Sequence, residues 1–277
     1  MNDAGFLVAI FVLGACIGSF LNVCITRWPA KMSVVKPRSR CPVCERPITW
    51  YENIPMLSWL VLRGRCRGCA TPISSLYPIV ELATGVLWTA TFMEFGPTFT
   101  GLRIAIFGTI LLGVAITDAR DYIIPDGFTI TGFLWNFAAA VIAFILGEQM
   151  YFAAPGEALL GACVGAGSIA IVAWLGEAAL RKEAMGFGDV TLMAMAGSAL
   201  GPERALITVF VGAFLGAVVF LLVVYPIAWM RARASRTPFE PPLVPFGVFL
   251  APASMVVLLW GEELKEWWSA FTAAPGM

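Results

Sequence analysis

Long apolar stretches separated by short polar segments make up most of the chain. Eight of them lie near residues 5–25, 76–95, 102–117, 128–147, 157–177, 190–201, 205–230 and 244–260. Most reach the length of about 17 to 25 residues that crosses a bilayer as a helix. The sixth is short and rich in Gly, Ala and Met, so it is either a half-span or part of a helix that extends back through Gly188. The pattern predicts an all-α fold, a polytopic membrane helix bundle of about eight spans.

The composition supports a membrane protein and narrows its chemistry. Hydrophobic residues make up 59% of the 277 positions and charged residues only 13%, far from the balance of a soluble domain. No histidine occurs, so histidine general bases, Ser-His-Asp triads and histidine metal ligands are excluded. The N-terminus carries Asp3 and no basic leader before its apolar run. This favours a retained first span, residues 1–26, over a cleaved signal peptide.

The basic residues are unevenly distributed, although 18 basic and 18 acidic residues give a formal net charge of zero. If the N-terminus is outside, only Arg103, Arg204 and Lys265 fall in outer segments. The positive-inside rule then predicts that both ends face outward and that the long first loop is cytoplasmic. The fifteen inner residues are Arg27, Lys31, Lys36, Arg38, Arg40, Arg46, Arg63, Arg65, Arg67, Arg120, Arg181, Lys182, Arg231, Arg233 and Arg236.

Small residues recur inside several predicted spans. Examples are "GACVGAGSIA" from Gly161 and "VGAFLGAVV" from Val211. Small side chains let two helix backbones approach closely in lipid. We therefore expect these faces to lie at helix–helix contacts.

The first polar loop carries four cysteines, and its sequence is "SRCPVCERPITWYENIPMLSWLVLRGRCRGCATPIS". Two C-x-x-C pairs are separated by 21 residues, a spacing close to that of zinc ribbons. Four thiolates around Zn²⁺ leave two negative charges, which Arg40, Arg65 and Arg67 are placed to offset. We predict a structural zinc site with no open position for catalysis. Its ligands are Cys41, Cys44, Cys66 and Cys69.

Other interpretations of these cysteines stay open. The four thiols are also compatible with two disulfides or redox-active dithiols, although a cytoplasmic location argues against stable disulfides. The basic residues of the loop suit nucleic acid, but the topology already accounts for them, so no nucleic-acid partner is predicted. The predicted segments are the span 1–26, the zinc loop 27–75, a transmembrane bundle 76–261 and a short tail 262–277.

Four aspartates lie at the predicted cytoplasmic edge of the membrane, where charged groups are costly and often functional. Asp118, Asp121 and Asp126 follow the third span in "LLGVAITDARDYIIPDGFTI", and Asp189 stands in "MGFGDVTLMAMAG". Two adjacent carboxylates resist double ionisation, so one keeps a proton while the other acts as a base. Such a pair, most simply Asp118 with Asp189, can activate water for amide hydrolysis without a metal.

These acids also have structural interpretations. Asp126 follows Pro125 and suits a helix N-cap, and Asp121 suits a solvated loop charge. Gly186 and Gly188 flank Phe187, where they would let the backbone bend and let an extended substrate approach Asp189. Glu81 is the one acid inside the second span. It is a candidate for binding the substrate amine and equally for a buried structural hydrogen bond.

Several longer motifs resemble one family. They are "GSFLNVCITRWP", the double C-x-x-C loop with "WYENIPMLSWLVLRGRC", "ISSLYPIVELATG", "TDARDYIIPD", "MGFGDVTLMAMAG" and "PFGVFLAPA", and they extend from Gly18 to about Ala253. Together they resemble the bacterial type IV prepilin peptidases. These are bifunctional leader peptidases and N-methyltransferases of the Gly-x-Gly-Asp aspartic type.

The resemblance implies an activity for the whole chain. It places the two catalytic acids on Asp118 and Asp189 and implies cleavage after a glycine at the cytoplasmic face of the inner membrane. The expected substrates are type IV prepilins or type II secretion pseudopilins, within membrane lipid. The new N-terminal residue would be methylated from S-adenosylmethionine, because the cysteine loop and "YPIVE" belong to the bifunctional members. No nucleotide-binding fingerprint identifies the residues that bind this methyl donor.

Two other functions account for parts of the sequence but not for all of it. An ion-coupled transporter would use the edge acids as a proton or cation relay, but transporters usually bind near the bilayer midplane and often show internal repeats. A zinc-dependent scaffold would keep the cysteine loop and tolerate loss of the acids.

Overall fold

The computed structural model of the chain describes residues 3–148, 151–181, 185–235, 239 and 242–273, and omits the side chains of 180 and 267–273. Within these ranges the regular secondary structure is helical and no strand forms. Lys182 and Arg236 of the predicted inner set lie outside the described residues. The helices are α1 Ala4–Arg27, α2 Leu57–Val61, α3 Leu76–Phe95, α4 Phe99–Asp121, α5 Asp126–Leu146, α6 Pro155–Leu180, α7 Phe187–Leu200, α8 Pro202–Val219, α9 Tyr225–Ser235 and α10 Gly247–Ala273.

The eight predicted apolar segments each coincide with a helical segment. Seven helical segments in the described part of the chain are long and apolar enough to cross a membrane. One of them is the continuous run Pro202–Ser235, in which the π-helical turn Phe220–Val224 joins α8 to α9. The remaining segment is α7, which has only 14 residues and begins at Phe187, so it does extend back through Gly188. The prediction of an all-α membrane bundle is confirmed.

The chain divides into two compact units, residues 1–113 and 114–277. In the first unit, α1 packs closely against α3 because two glycines of α1 face α3. A Cβ atom on Gly14 would lie 2.8 Å from Trp88 Cβ, and one on Gly18 would lie 2.8 Å from the Cα atom of Glu81. The Asn22 side-chain amide donates to the Tyr77 carbonyl oxygen at 3.0 Å. This packing holds the start of α3, which carries Glu81, beside α1.

In the second unit, α7 is surrounded by α5, α6, α8 and α10. Gly161 on α6 packs directly against the backbone of α7, where a Cβ would overlap the Gly197 carbonyl oxygen. From the other side, the Asn136 side-chain amide of α5 donates to the Met195 carbonyl oxygen at 3.0 Å. The expected small-residue contact at "GACVGAGSIA" is therefore confirmed at Gly161, and α7 is fixed from two sides.

The C-terminal part of the second unit is also helical. Gly212 of α8 meets α10, since a Cβ there would lie 2.8 Å from Leu250 Cδ2. This contact confirms the expected small-residue face at "VGAFLGAVV". α10 is interrupted at Trp260, whose backbone is not helical, and it then continues to Ala273. The segment predicted as a short tail is thus helical as far as it is described.

The close contact of α6 and α7 predicts different effects for two glycines of the second unit. Gly197→Ala places a methyl group against the Gly161 backbone, whereas Gly167 has no heavy atom within 4 Å of a Cβ position. We expect Gly197→Ala to lower the free energy of unfolding by about 1–3 kcal/mol, because backbone atoms cannot rotate away. The measurement is thermal unfolding in detergent. Gly167→Ala, the matched control, should unfold no earlier than the unsubstituted chain, and equal destabilisation by both changes would contradict this packing.

Candidate functional site

Two buried carboxylates meet in the second unit. Asp118 lies near the end of α4 and is 6% exposed, and Asp189 lies in the first turn of α7 and is 8% exposed. Their carboxyl groups are close enough to interact electrostatically. The structure therefore brings together the two acids that the sequence paired, although 70 positions separate them along the chain.

Asp118 is held at the N-terminus of α10. The Val248 backbone N–H donates to Asp118 Oδ2 at 3.0 Å, and the Gly247 N–H also faces this carboxylate. Gly247 has to lack a side chain, because a Cβ there would lie 2.8 Å from both Asp118 Oδ2 and Ile124 Cδ1. The unpaired N–H groups of a helix start favour a negative charge. These two N–H groups thus offset part of the cost of a negative charge on the buried Asp118.

Asp189 occupies a comparable position at the start of its own helix. It is the third residue of α7, and its carboxylate faces the backbone N–H of Gly186. An acid at this position commonly reaches back to the N-cap N–H, as in one half of a capping box. Each of the two acids therefore lies at a helix N-terminus, which offsets part of the cost of burying it.

The two glycines of the motif act differently from the expectation that they bend the backbone. Gly186 has φ −74° and ψ 148°, an ordinary extended conformation that any residue adopts. Gly188 leaves room for Ile124, because a Cβ there would lie 2.9 Å from Ile124 Cβ. Their predicted role in positioning substrate stays a prediction.

Ile124 is a site residue that the sequence interpretation missed. Its side chain lies against Gly188 at the start of α7 and against Gly247 at the start of α10. It is 8% exposed, in contrast to the exposed Tyr122 and Ile123 before it. The only indication in the sequence was an apolar residue between the two acids of "DYIIPD", and this does not reveal which residues Ile124 contacts. Ile124 fills the space between the starts of α7 and α10.

The other two aspartates of this loop lie in different surroundings. Asp121 accepts hydrogen bonds from the Arg120 guanidinium, the shortest at 2.6 Å. Asp126 is exposed and is the first residue of α5, while Pro125 takes the N-cap position. The suggested N-cap role of Asp126 was therefore wrong by one position, because the helix starts one residue earlier than a cap at 126 requires.

The four loop cysteines form a compact cluster in the first unit. Their Sγ atoms all lie within 4.8 Å of one another. The Sγ atoms of Cys41 and Cys69 are 3.7 Å apart, and those of Cys44 and Cys66 are 4.0 Å apart. A tetrahedral Zn²⁺ with bonds of about 2.3 Å places its sulfur ligands roughly 3.8 Å apart. The cluster therefore fits a four-thiolate zinc ion.

The two cysteine pairs adopt the same turn. The segments "RCPVCERP" and "RCRGCATP" each close with a backbone bridge, one between Arg40 and Pro47 and one between Arg65 and Pro72. In the first, the Cys41 N–H donates to the Arg46 carbonyl oxygen. In the second, the equivalent bond joins the Cys66 N–H to the Thr71 carbonyl oxygen. The loop thus contains a repeated eight-residue knuckle, which the cysteine spacing alone did not identify.

The surroundings of the knuckles favour the thiolate form at two of the four cysteines, Cys69 and Cys41. At Cys44 a backbone hydrogen bond from Arg46 lowers the thiol pKa, but burial and the three neighbouring thiols raise it by more, to about 11. A hydrogen bond with the Thr71 hydroxyl lowers the pKa of the Cys69 thiol to about 6. The pKa of the Cys41 thiol is also lowered, by the backbone N–H groups of Cys44 and Val43. Thiolate is the form that binds metal.

The arginines near the cysteine cluster are not all those predicted to offset its negative charge. Arg46, absent from the predicted trio, interacts electrostatically with Cys66 and forms a two-point ion pair with Glu52 at 2.8 and 2.9 Å. Arg67 lies 3.7 Å from Glu52, and Arg40 pairs with Glu45 instead. The Arg46 hydrogen bond holds the pKa of Glu52 at about 2, so this acid stays ionised next to the first knuckle.

Glu81 anchors the loop from within α3. Its carboxylate accepts the Met56 backbone N–H at 2.7 Å, and the Ser19 hydroxyl also contacts it. Met56 has φ 58°, an unfavourable value for a residue with a side chain, so this hydrogen bond helps to fix the turn. A structural hydrogen bond, one of the two roles expected of Glu81, is present.

Comparison with known proteins gives one family across most of the chain. Residues 12–95 match the model of the bacterial peptidase A24 N-terminal domain, and residues 105–221 match the model of the type IV leader peptidase family. No solved structure gives a significant match.

The curated relatives have a common name, prepilin leader peptidase/N-methyltransferase. The Myxococcus xanthus protein is 43% identical over 237 residues, covering 85% of this chain and 68% of its own. The Aeromonas hydrophila protein is 34% identical, covering 94% and 92%. The Pseudomonas aeruginosa protein is 32% identical, covering 98% and 96%.

Proposed function

The chain belongs to the type IV leader peptidase family, and we propose that it removes the leader of type IV prepilins and N-methylates the new N-terminal residue. Asp118 and Asp189 carry out the hydrolysis in this proposal. The observation that supports these two residues is their meeting as buried carboxylates, each at a helix N-terminus. No comparison supports a transporter.

The arrangement suits water activation by a carboxylate pair. Two carboxylates in electrostatic contact share one proton, because a second negative charge is costly there. The Val248 N–H bond to Asp118 favours Asp118 as the anion that takes a proton from water. Asp189 then donates its proton to the scissile carbonyl oxygen as the hydroxyl adds to carbon. Return of a proton to the amide nitrogen releases the leader and a new N-terminal amine.

The distribution of basic residues indicates on which side of the membrane the carboxylate pair lies. The protein is a multi-pass protein of the bacterial inner membrane. We place the carboxylate pair at the cytoplasmic face, because the predicted loops on that side hold fifteen of the 18 basic residues. Cleavage after a glycine in prepilins, or in the pseudopilins of type II secretion, fits that position.

The methyl transfer requires a donor, for which we propose S-adenosylmethionine. When bound, it supplies a methyl group to the neutral amine: an N–C bond forms, the C–S bond breaks with its electrons going to sulfur, and the amine loses a proton. We assign the four-thiolate zinc a structural role, since four protein ligands leave no open position on the metal.

The proposed carboxylate pair predicts that replacing either aspartate with asparagine strongly reduces leader cleavage. Asp118→Asn and Asp189→Asn should each reduce leader cleavage by about 10³-fold or more, because neither carboxyl group can act alone as both acid and base. The measurement is cleavage of a purified prepilin in detergent. Asp121→Asn is the matched control and should stay within a few-fold of the unsubstituted enzyme. If Asp121→Asn abolished cleavage while Asp118→Asn did not, the pairing would be wrong.

The cysteine cluster predicts one zinc ion per chain. Enzyme purified without oxygen should contain stoichiometric zinc by elemental analysis, because four sulfur atoms already lie at tetrahedral spacing. Cys163→Ser, which alters a cysteine of α6, should leave the zinc content unchanged. Zinc-free protein with four free thiols would refute the assignment.

The loop and the carboxylate pair predict a separation of the two activities. Cys66→Ser removes one ligand, and metal binding is linked to folding in small zinc modules. We expect this variant to lose methylation more severely than cleavage, because the membrane helices are stabilised independently by packing. Both products are measured on one prepilin, with Cys163→Ser as the control. Equal loss of both activities would instead make the loop part of the hydrolytic site.

A further inference from the structure

The first unit contains a cavity of about 650 Å³ between α1, the cysteine loop and the start of α3. Its volume lies in the range that holds small organic ligands and cofactors. Cys41 and Cys66 are among the residues that line it. The loop that the metal would fold therefore also forms the cavity wall.

Three carboxylates line this cavity, and two of them already bind cations. Glu45 is exposed and pairs with Arg40, while Glu52 forms its ion pairs with Arg46 and Arg67. These two acids are neutralised by the loop itself.

Glu81 is the third carboxylate and differs from the other two. It is only 7% exposed, and its contacts are neutral donors, the Met56 N–H and the Ser19 hydroxyl. No ion pair involving Glu81 occurs in the described part of the chain. A buried carboxylate is stable when a cation approaches it, so this end of the cavity suits a positively charged ligand.

The remaining walls suit a flat heterocycle with polar substituents. Trp59 and Tyr77 contribute aromatic surface, and Asn22 and Asn53 contribute amide groups. The Trp59 ring is held by its Nε1–H bond to the Ile73 carbonyl oxygen at 3.1 Å. Rigid aromatic walls with a few polar groups are typical of nucleoside-sized sites.

We propose that this cavity binds S-adenosylmethionine and that Glu81 binds the cationic part of this ligand. The sulfonium and ammonium groups of the donor supply a cationic partner for Glu81, which has none among the described residues of this cavity. The adenine ring of the donor matches the aromatic walls. The proposal rests on the N-methyltransferase function proposed above and assigns its donor site. Methylation then depends on the cysteine loop because that loop builds the binding cavity.

Two substitutions test the site through binding alone. Glu81→Gln removes the charge but keeps an oxygen that accepts the Met56 N–H. Asn53→Trp fills the cavity at a position whose side chain makes no hydrogen bond that the structure records. Val35→Trp is the matched control, since Val35 is 76% exposed and does not line this cavity.

The experiment is equilibrium dialysis of zinc-loaded, full-length enzyme in nanodiscs with radiolabelled S-adenosylmethionine. Prepilin is omitted, so that the amine of a cleaved substrate, which is also a cation, cannot contribute. We expect binding to weaken by about tenfold or more in Glu81→Gln and in Asn53→Trp, and to be unchanged in Val35→Trp. Zinc content and thermal unfolding equal to those of the unsubstituted enzyme show that each variant is folded.

Unchanged affinity in either Glu81→Gln or Asn53→Trp overturns the proposed site while leaving the methyltransferase function intact. If the unsubstituted enzyme neither binds the donor nor methylates its product, the methyltransferase function itself fails. Donor binding and methylation by the unsubstituted enzyme therefore distinguish the two failures.

Discussion

Repulsion between two buried carboxylates is the constraint on which the second unit depends. Asp118 and Asp189 can be held together only where nearby groups offset their charge. The structure uses backbone N–H groups at the starts of α10 and α7 for this purpose. Because these groups belong to helix ends, the position of the site depends on where each helix begins and on how tightly the helices pack.

That dependence accounts for the close packing around α7. α7 has only 14 residues, most of them buried, and its position decides whether Asp189 lies beside Asp118. The backbone contact with Gly161 and the Asn136 hydrogen bonds fix its position along and around its axis. Gly188 and Gly247 serve the same end, since both let Ile124 fill the space between the two helix starts.

Much of the fold was predictable because hydropathy and length identify membrane helices directly. The proximity of the two acids and of the four cysteines was also predictable, since charged residues at membrane edges and paired C-x-x-C motifs are uncommon. Contacts that depend on three-dimensional packing were not predictable. Ile124 and Gly247 lie far apart along the chain and carry no periodic signal. Arg46 was missed for a related reason, because only the folded turn shows that it faces Cys66 and Glu52.

The repeated knuckle has a consequence for the 21 residues that connect the two cysteine pairs. The proposed zinc ion, bound by both turns, would fix the two ends of this connection and so remove much of its conformational entropy. The hydrogen bond from Met56 to Glu81 restrains its middle as well. Side chains on such a segment are ordered before any ligand arrives, so binding need not supply the free energy of ordering them. The connecting residues could then vary to suit a ligand while the proposed zinc ion preserved the shape of the loop.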